Sequence, residues 1–147
     1  MSGELGCIIV THGRVGEELL RVATHIMGDK LGPIECVRVP FMVEAAATGV
    51  NSFAERRQQI AMAVRQAVTR VNQGVGVIIF TDIIGGTAFN VCREVLKPGE
   101  GAVVSGVNLP MLLKLPSIRR QPTVESVREA VFELAGRSRQ GIGFYFP

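Results

Sequence analysis

The sequence predicts an α/β protein, a three-layer sandwich with a mostly parallel open sheet and helices on both faces, and three observations predict it. Strand-like apolar runs alternate with segments of helical periodicity. The runs are rich in Ile, Val and Phe without polar alternation, so they need burial on two faces, as parallel strands do. Two of them, IIVT and IIFT, deliver His12 and Asp82 to strand ends, the edge where open α/β sheets carry their sites.

The elements follow in order. Strand-like runs lie at Gly6 to Val10, Ile34 to Val39, Val75 to Thr81, Ala102 to Ser105 and Ile142 to Phe146. Between the first two, Val15, Leu19, Val22, Ala23 and Ile26 recur at helical steps, and Gly28 stops the helix. A second helix carries Phe53, Ile60, Val64, Val68 and Val71, with Ser52 and Glu55 placed as a capping box. A third should begin near Thr87, whose hydroxyl is expected to cap it, and run through Phe89, Cys92 and Val95 to a stop at Pro98-Gly99. Val107-Asn108-Leu109-Pro110 opens a short fourth helix, since proline suits the first turn. Thr123 is expected to cap the last, with Val124, Val127, Val131 and Leu134 on one face and an end near Gly136. The segment GIGFYFP concentrates aromatic residues and reads as an edge strand, a loose tail, or an element buried on a second subunit; exposed aromatics on an edge favour the last.

A chain of 147 residues with no visible linker reads as one domain, 1–147. The hydrophobic share is 47%, yet no stretch reaches the roughly 18 apolar residues needed to span a bilayer, so the excess belongs to a core or an interface. Net charge is +3 with dispersed basic residues, no Trp and a single Tyr, which argues against nucleic acid as a partner. The start MSGELGCIIV lacks the features of a secretory signal, so a cytoplasmic location is expected. Cys7, Cys36 and Cys92 are widely spaced without a CxxC pair and read as small hydrophobes rather than a zinc or disulfide framework.

The chemistry gathers at two strand ends. A histidine after an apolar strand is by default a turn residue, but here Gly13 permits close backbone approach, the next helix offers its N-terminus, and Arg14 adds positive charge at the same mouth. Asp82 either caps its own turn or accepts a hydrogen bond from one imidazole nitrogen, leaving the other as a nucleophile. Gly85, Gly86 and Thr87 then offer amides and a hydroxyl to an anion, although such triplets are commonly plain turns. There is no GxSxG elbow, no GxxxxGK[ST] loop and no metal-ligand cluster, and no cofactor is expected. A His-Asp pair without Ser, Cys or metal points to the histidine as the nucleophile, hence to transient phosphohistidine. His25, on the first helix, has no evident partner and reads as a structural or surface residue.

VTHG at Val10 to Gly13, the DxxGGT turn from Asp82 to Thr87 continuing to Asn90, and GVNLPMLL at Gly106 to Leu113 resemble the IIA domain of mannose-family sugar phosphotransferase systems, and the resemblance covers nearly the whole chain. It implies a phosphorylatable histidine at His12, an aspartate bonded to it at Asp82, the site serine's position at Thr87, and a homodimer built by exchange of the last strand. It further implies phosphate arriving from the histidine-containing phosphocarrier protein, charged by phosphoenolpyruvate through Enzyme I, and leaving to a separate IIB protein that serves membrane IIC and IID subunits, with any membrane association peripheral. The dihydroxyacetone-kinase phosphotransfer subunit is similar in fold, but GVNLPMLL favours the mannose type. Ala88, Lys114 and PFMVEAAATG at Pro40 to Gly49 depart from the family pattern; they bear on partner choice rather than on the His-Asp pair. Two other readings stand beside sugar transport: a stand-alone regulatory IIA, and an anion- or nucleotide-binding domain that is never covalently modified.

Overall fold

The computed structural model describes residues 3–119 and 124–147. Four strands, β1 (Gly6–His12), β2 (Glu35–Val39), β3 (Val77–Thr81) and β4 (Gly101–Ser105), form one all-parallel sheet in the order β2-β1-β3-β4. The helices are α1 (Val15–Met27), α2 (Met42–Ala47), α3 (Phe53–Val71), α4 (Thr87–Val95), α5 (Leu109–Ile118) and α6 (Val124–Gln140). Alternate strand residues point to opposite faces, and both faces are buried. Cys7, Ile9, Ile78 and Phe80 pack under α1, α5 and α6, while Ile8, Val10, Val77 and Ile79 pack under α3 and α4. That is the three-layer sandwich expected from strands without polar alternation.

The chain leaves β1 toward β2 on one side and returns to β3 on the other. Neighbouring strands whose connections diverge leave a crevice at their carboxyl ends, the switch point of a doubly wound sheet. The register of β1 with β3 pairs Val10 with Thr81, so His12 and Asp82 both emerge just past the paired region at that crevice.

Several details differ from the sequence reading. The buried face of α1 runs through Gly16, Leu19, Leu20, Ala23 and Met27, leaving Val15, Val22 and Ile26 exposed. Gly16 sets this rotation: a β-carbon there would fall 2.6 Å from Ile9 Cγ2 and 2.8 Å from Thr11 Oγ1, so the helix touches the sheet where it has no side chain. On α3 the expected Ile60, Val64 and Val68 are buried, whereas Phe53 is exposed under the Arg57 guanidinium and Arg56 takes the buried place. Ser52 caps α3 by accepting the Glu55 N–H at 3.0 Å, but the Glu55 carboxylate answers to the Asn51 N–H instead of closing the box on Ser52. Thr87 is not a cap. Gly86 holds the cap position of α4 in extended conformation and Thr87 is the first helical residue; the helix ends at Val95, before Pro98-Gly99.

Asn108 caps α5 through the Met111 N–H at 2.9 Å. The expected Thr123 cap lies outside the described residues. The loop-like PFMVEAAATG contains α2, a helix the periodicity did not announce. Among the described residues, 142–146 join no sheet, contrary to a strand in its own sheet; a strand needs a hydrogen-bonded neighbour, and here Ile142, Phe144, Tyr145 and Phe146 stand in solvent. No described helix is long and apolar enough to cross a membrane.

One ion pair ties α3 to the loop before β4. Arg65 grips Glu100 with two bonds of 2.7 and 2.6 Å, and the Lys97 N–H donates to the same carboxylate at 3.0 Å. The Arg65 bonds hold the Glu100 carboxyl down at about 2 against an ordinary 4.5. A depressed carboxyl contributes stability that is full above its unfolded value and fades as pH falls through the folded one, so the contribution should vanish between pH 4.5 and about 2. Glu100→Gln is expected to lose up to about 1 kcal/mol at neutral pH, the range for partly exposed pairs, and to converge with the wild type at the acid end. Denaturant titrations across that window check this; parallel curves would mean the pair contributes nothing.

Candidate active site

The site is built by what ends β1 and β3. Thr11, buried, accepts the Gly16 N–H on its hydroxyl at 2.7 Å and so docks the first turn of α1 onto the strand. The ladder with β2 runs one bond further, Gly13 N–H to the Val39 carbonyl at 3.0 Å, before Gly13 turns the chain at φ 53°, a conformation glycine adopts without strain. His12 is therefore held on a strand that is paired on both sides, with its ring at the rim.

Asp82 reaches across from β3. Its Oδ2 lies 2.9 Å from His12 Nδ1 and accepts the His12 backbone N–H at the same distance, while Oδ1 accepts the Ile83 N–H at 3.1 Å. Burial by itself would raise the Asp82 carboxyl, but the two His12 hydrogen bonds and the ring's charge outweigh it and hold the group below the ordinary carboxylate value. An ionised Asp82 can only accept, so Nδ1 is the nitrogen that carries the proton, and in the neutral ring the lone pair falls on Nε2. The side chains are 28% and 19% exposed, open enough for a partner molecule to reach the ring.

Gly86 closes the other flank. A β-carbon there would lie 3.5 Å from His12 Cε1, the ring carbon between the two nitrogens, and 2.9 Å from Ile83 Cγ2. The backbone thus passes within ordinary contact of the imidazole, and it is the Ile83 side chain that leaves no room for a β-carbon. Gly85 turns at φ 76° and its carbonyl accepts the Asn90 Nδ2–H at 2.9 Å, which braces the loop against α4. The first amides of α4, beginning at Thr87, have no carbonyl one turn back to bond. The Thr87 hydroxyl serves no cap.

The entrance of α1 is less free than its sequence suggests. The Gly16 N–H is committed to Thr11, and Arg14 pairs with Glu17 at 3.1 Å and Glu18 at 3.6 Å, so its charge is shared with the acidic first turn of its own helix. The structure thus gathers His12, Asp82, Gly13 and Gly86 closely, sets Gly85 and Thr87 at the mouth of α4, and leaves Arg14 exposed and engaged. His25 is exposed on α1. Phe41, which nothing in the sequence pattern singled out, rests its ring against Gly13.

A histidine held by a carboxylate through one nitrogen stands at the switch point of the parallel sheet, the edge where open α/β sheets carry their sites. Residues 6–132 match EIIA-man, PTS system fructose IIA component, and the chain belongs to this family of sugar phosphotransferase-system proteins. The fold is shared with solved structures of low sequence identity. The mannose/sorbose specific IIA subunit of the phosphotransferase system from Enterococcus faecalis is 23% identical with a TM-score of 0.70, over 98% of this chain and 96% of that one. Phosphotransferase system component EIIA from Streptococcus agalactiae is 24% identical with a TM-score of 0.68, over 95% and 96%. The PTS IIA protein associated with the fucose utilization operon from Streptococcus pneumoniae is 20% identical with a TM-score of 0.64, over 97% and 98%. No curated protein matches the sequence.

Proposed function

We propose that this IIA protein accepts a phosphoryl group on His12 Nε2 from the histidine-containing phosphocarrier protein and passes it to a separate IIB protein, so that membrane IIC and IID subunits can import and phosphorylate a sugar. The observation that carries this is the 2.9 Å contact between His12 Nδ1 and Asp82, with no bond to Nε2 among the described residues. In the transfer, the Nε2 lone pair forms a bond to phosphorus as the donor's P–N bond breaks and leaves its electron pair on the donor nitrogen. Nδ1 keeps its proton throughout, and Asp82 offsets the positive charge that develops on the ring. Gly85 and Thr87 offer donors to the phosphoryl oxygens at the mouth of α4, Gly13 and Gly86, whose N–H groups are given to the Val39 and Ile83 carbonyls, let the group approach the backbone closely, and Arg14 exchanges its carboxylate partners for the incoming dianion.

The protein acts in the cytoplasm, at most peripherally at a membrane complex, as one phosphotransfer domain over residues 1–147. The test is reconstitution: phosphoenolpyruvate, Enzyme I and the phosphocarrier should place an acid-labile, alkali-stable phosphate on the chain, and adding a IIB protein should discharge it. Labelling without discharge to any IIB would favour the regulatory reading; no labelling would favour non-covalent anion binding.

The tail completes the proposal as a homodimer contact. Ile142, Phe144, Tyr145 and Phe146 are more than three-quarters exposed, and β4 is an edge strand with an unpaired side. Adding the tail to the sheet of a second copy would satisfy both, and each fully buried Phe contributes roughly 1.5–3 kcal/mol. Deleting residues 141–147 is expected to convert a dimer into monomer or aggregate with a lower thermal midpoint. Sedimentation at micromolar concentration checks this, and an unchanged dimer would remove the tail from the interface.

A further inference from the structure

Gly13 lies beneath an aromatic ring. A β-carbon at that position would sit 3.1 Å from both Cε2 and Cζ of Phe41, so the ring rests on the backbone immediately after His12. Phe41 remains 54% exposed, and a half-exposed side chain keeps its place only where the backbone beneath it is held. Here it is held from two directions. Arg56, only 6% exposed, sends Nε–H and Nη2–H to the Pro40 carbonyl at 2.8 and 2.6 Å. The Phe41 N–H donates to Glu44 at 2.9 Å, and Glu44 is itself paired with Arg38 at 2.9 Å.

Burying a guanidinium costs free energy unless its donors are used, and here two converge on one carbonyl beside the site.

A phosphorylated imidazole has a competing reaction with water. A water oxygen adds to phosphorus, the P–Nε2 bond breaks with its electron pair left on the nitrogen, and both water protons depart with inorganic phosphate. Keeping water from the phosphorus until a partner docks preserves the group for transfer. We infer that Phe41 is a shield against hydrolysis of phosphorylated His12, and that Arg56 is a positioning residue that seats this ring through the Pro40 carbonyl. The inference rests on His12 carrying the phosphate.

The test is the lifetime of the phosphoprotein. Wild type, Phe41→Ala, Arg56→Gln and the double variant are phosphorylated with Enzyme I and the phosphocarrier, or chemically with phosphoramidate. They are then freed of donor and followed at pH 7 by phosphorus NMR. Phe41→Ala is expected to shorten the lifetime by about three- to tenfold, with Phe41→Tyr restoring it. Arg56→Gln should act in the same direction, and the double variant should decay no faster than Phe41→Ala, because Arg56 acts through the ring. A wild-type lifetime for Phe41→Ala, accompanied by a raised KM for the phosphocarrier, would make the ring a partner contact and overturn the shield. Additive decay in the double variant would overturn the role of Arg56; should Arg56→Gln not fold, Phe41→Ala alone decides the shield. A wild type that takes no label on His12 from either donor is a different failure, which sinks the underlying phosphorylation reading and the shield with it.

Discussion

His12→Ala should take up no phosphate under conditions that label the wild type fully. The chain has two histidines, and they are not equivalent. His12 has its Nδ1 bonded to a carboxylate held below its ordinary range, a glycine backbone against its Cε1 edge and the mouth of α4 beside it. His25 sits exposed on α1, a helix whose first turn is acidic. Nucleophilicity requires a lone pair on a ring whose developing charge is offset, and His12 has both. Mass spectrometry in alkali, where phosphohistidine survives, locates the group. Full labelling of His12→Ala would falsify the assignment, and a phosphate found on His25 in the wild type would count equally against it.

Asp82→Asn is expected to slow phosphoryl transfer by roughly one to three orders of magnitude while leaving the fold intact. The amide oxygen is able to accept the His12 backbone N–H, so the link between β1 and β3 has a substitute. What it cannot supply is a negative charge beside Nδ1 when the ring becomes cationic, nor a group that only accepts and so fixes the tautomer. Thr87→Ala should cost much less, since the backbone amides at the start of α4 share its task. Initial transfer rates compared with thermal midpoints separate the two effects. A wild-type rate for Asp82→Asn would exclude the carboxylate from the mechanism; a rate loss matched by a collapse in stability would assign it a structural part only.

The layered architecture and the two ends of the His-Asp pair are legible from the chain alone, because both are written in local terms. Strands such as Ile8 to Val10 and Ile78 to Phe80 are apolar at every position, which admits burial on two faces and little else. Asn108 with Pro110 announces a helix start for the same reason, since a cap bonds only to residues within one turn. Whatever depends on how far one element stands from another is set by packing. The helical period of α1 is compatible with more than one apolar stripe, and only the sheet beneath it, touching Gly16 at Ile9 and Thr11, selected the buried one. Thr87 is not the cap because Gly86, extended and in contact with both Ile83 and His12, takes the cap position and leaves Thr87 as the first helical residue. Phe41 against Gly13 and Arg56 on Pro40 carry no periodic or motif signal at all, for their meaning arises only when β2 lies next to β1 and α3 packs behind them. The aromatic tail is the remaining case: its composition is legible as apolar surface seeking cover, but a strand is defined by its hydrogen-bonded neighbour, and the described residues contain none for it.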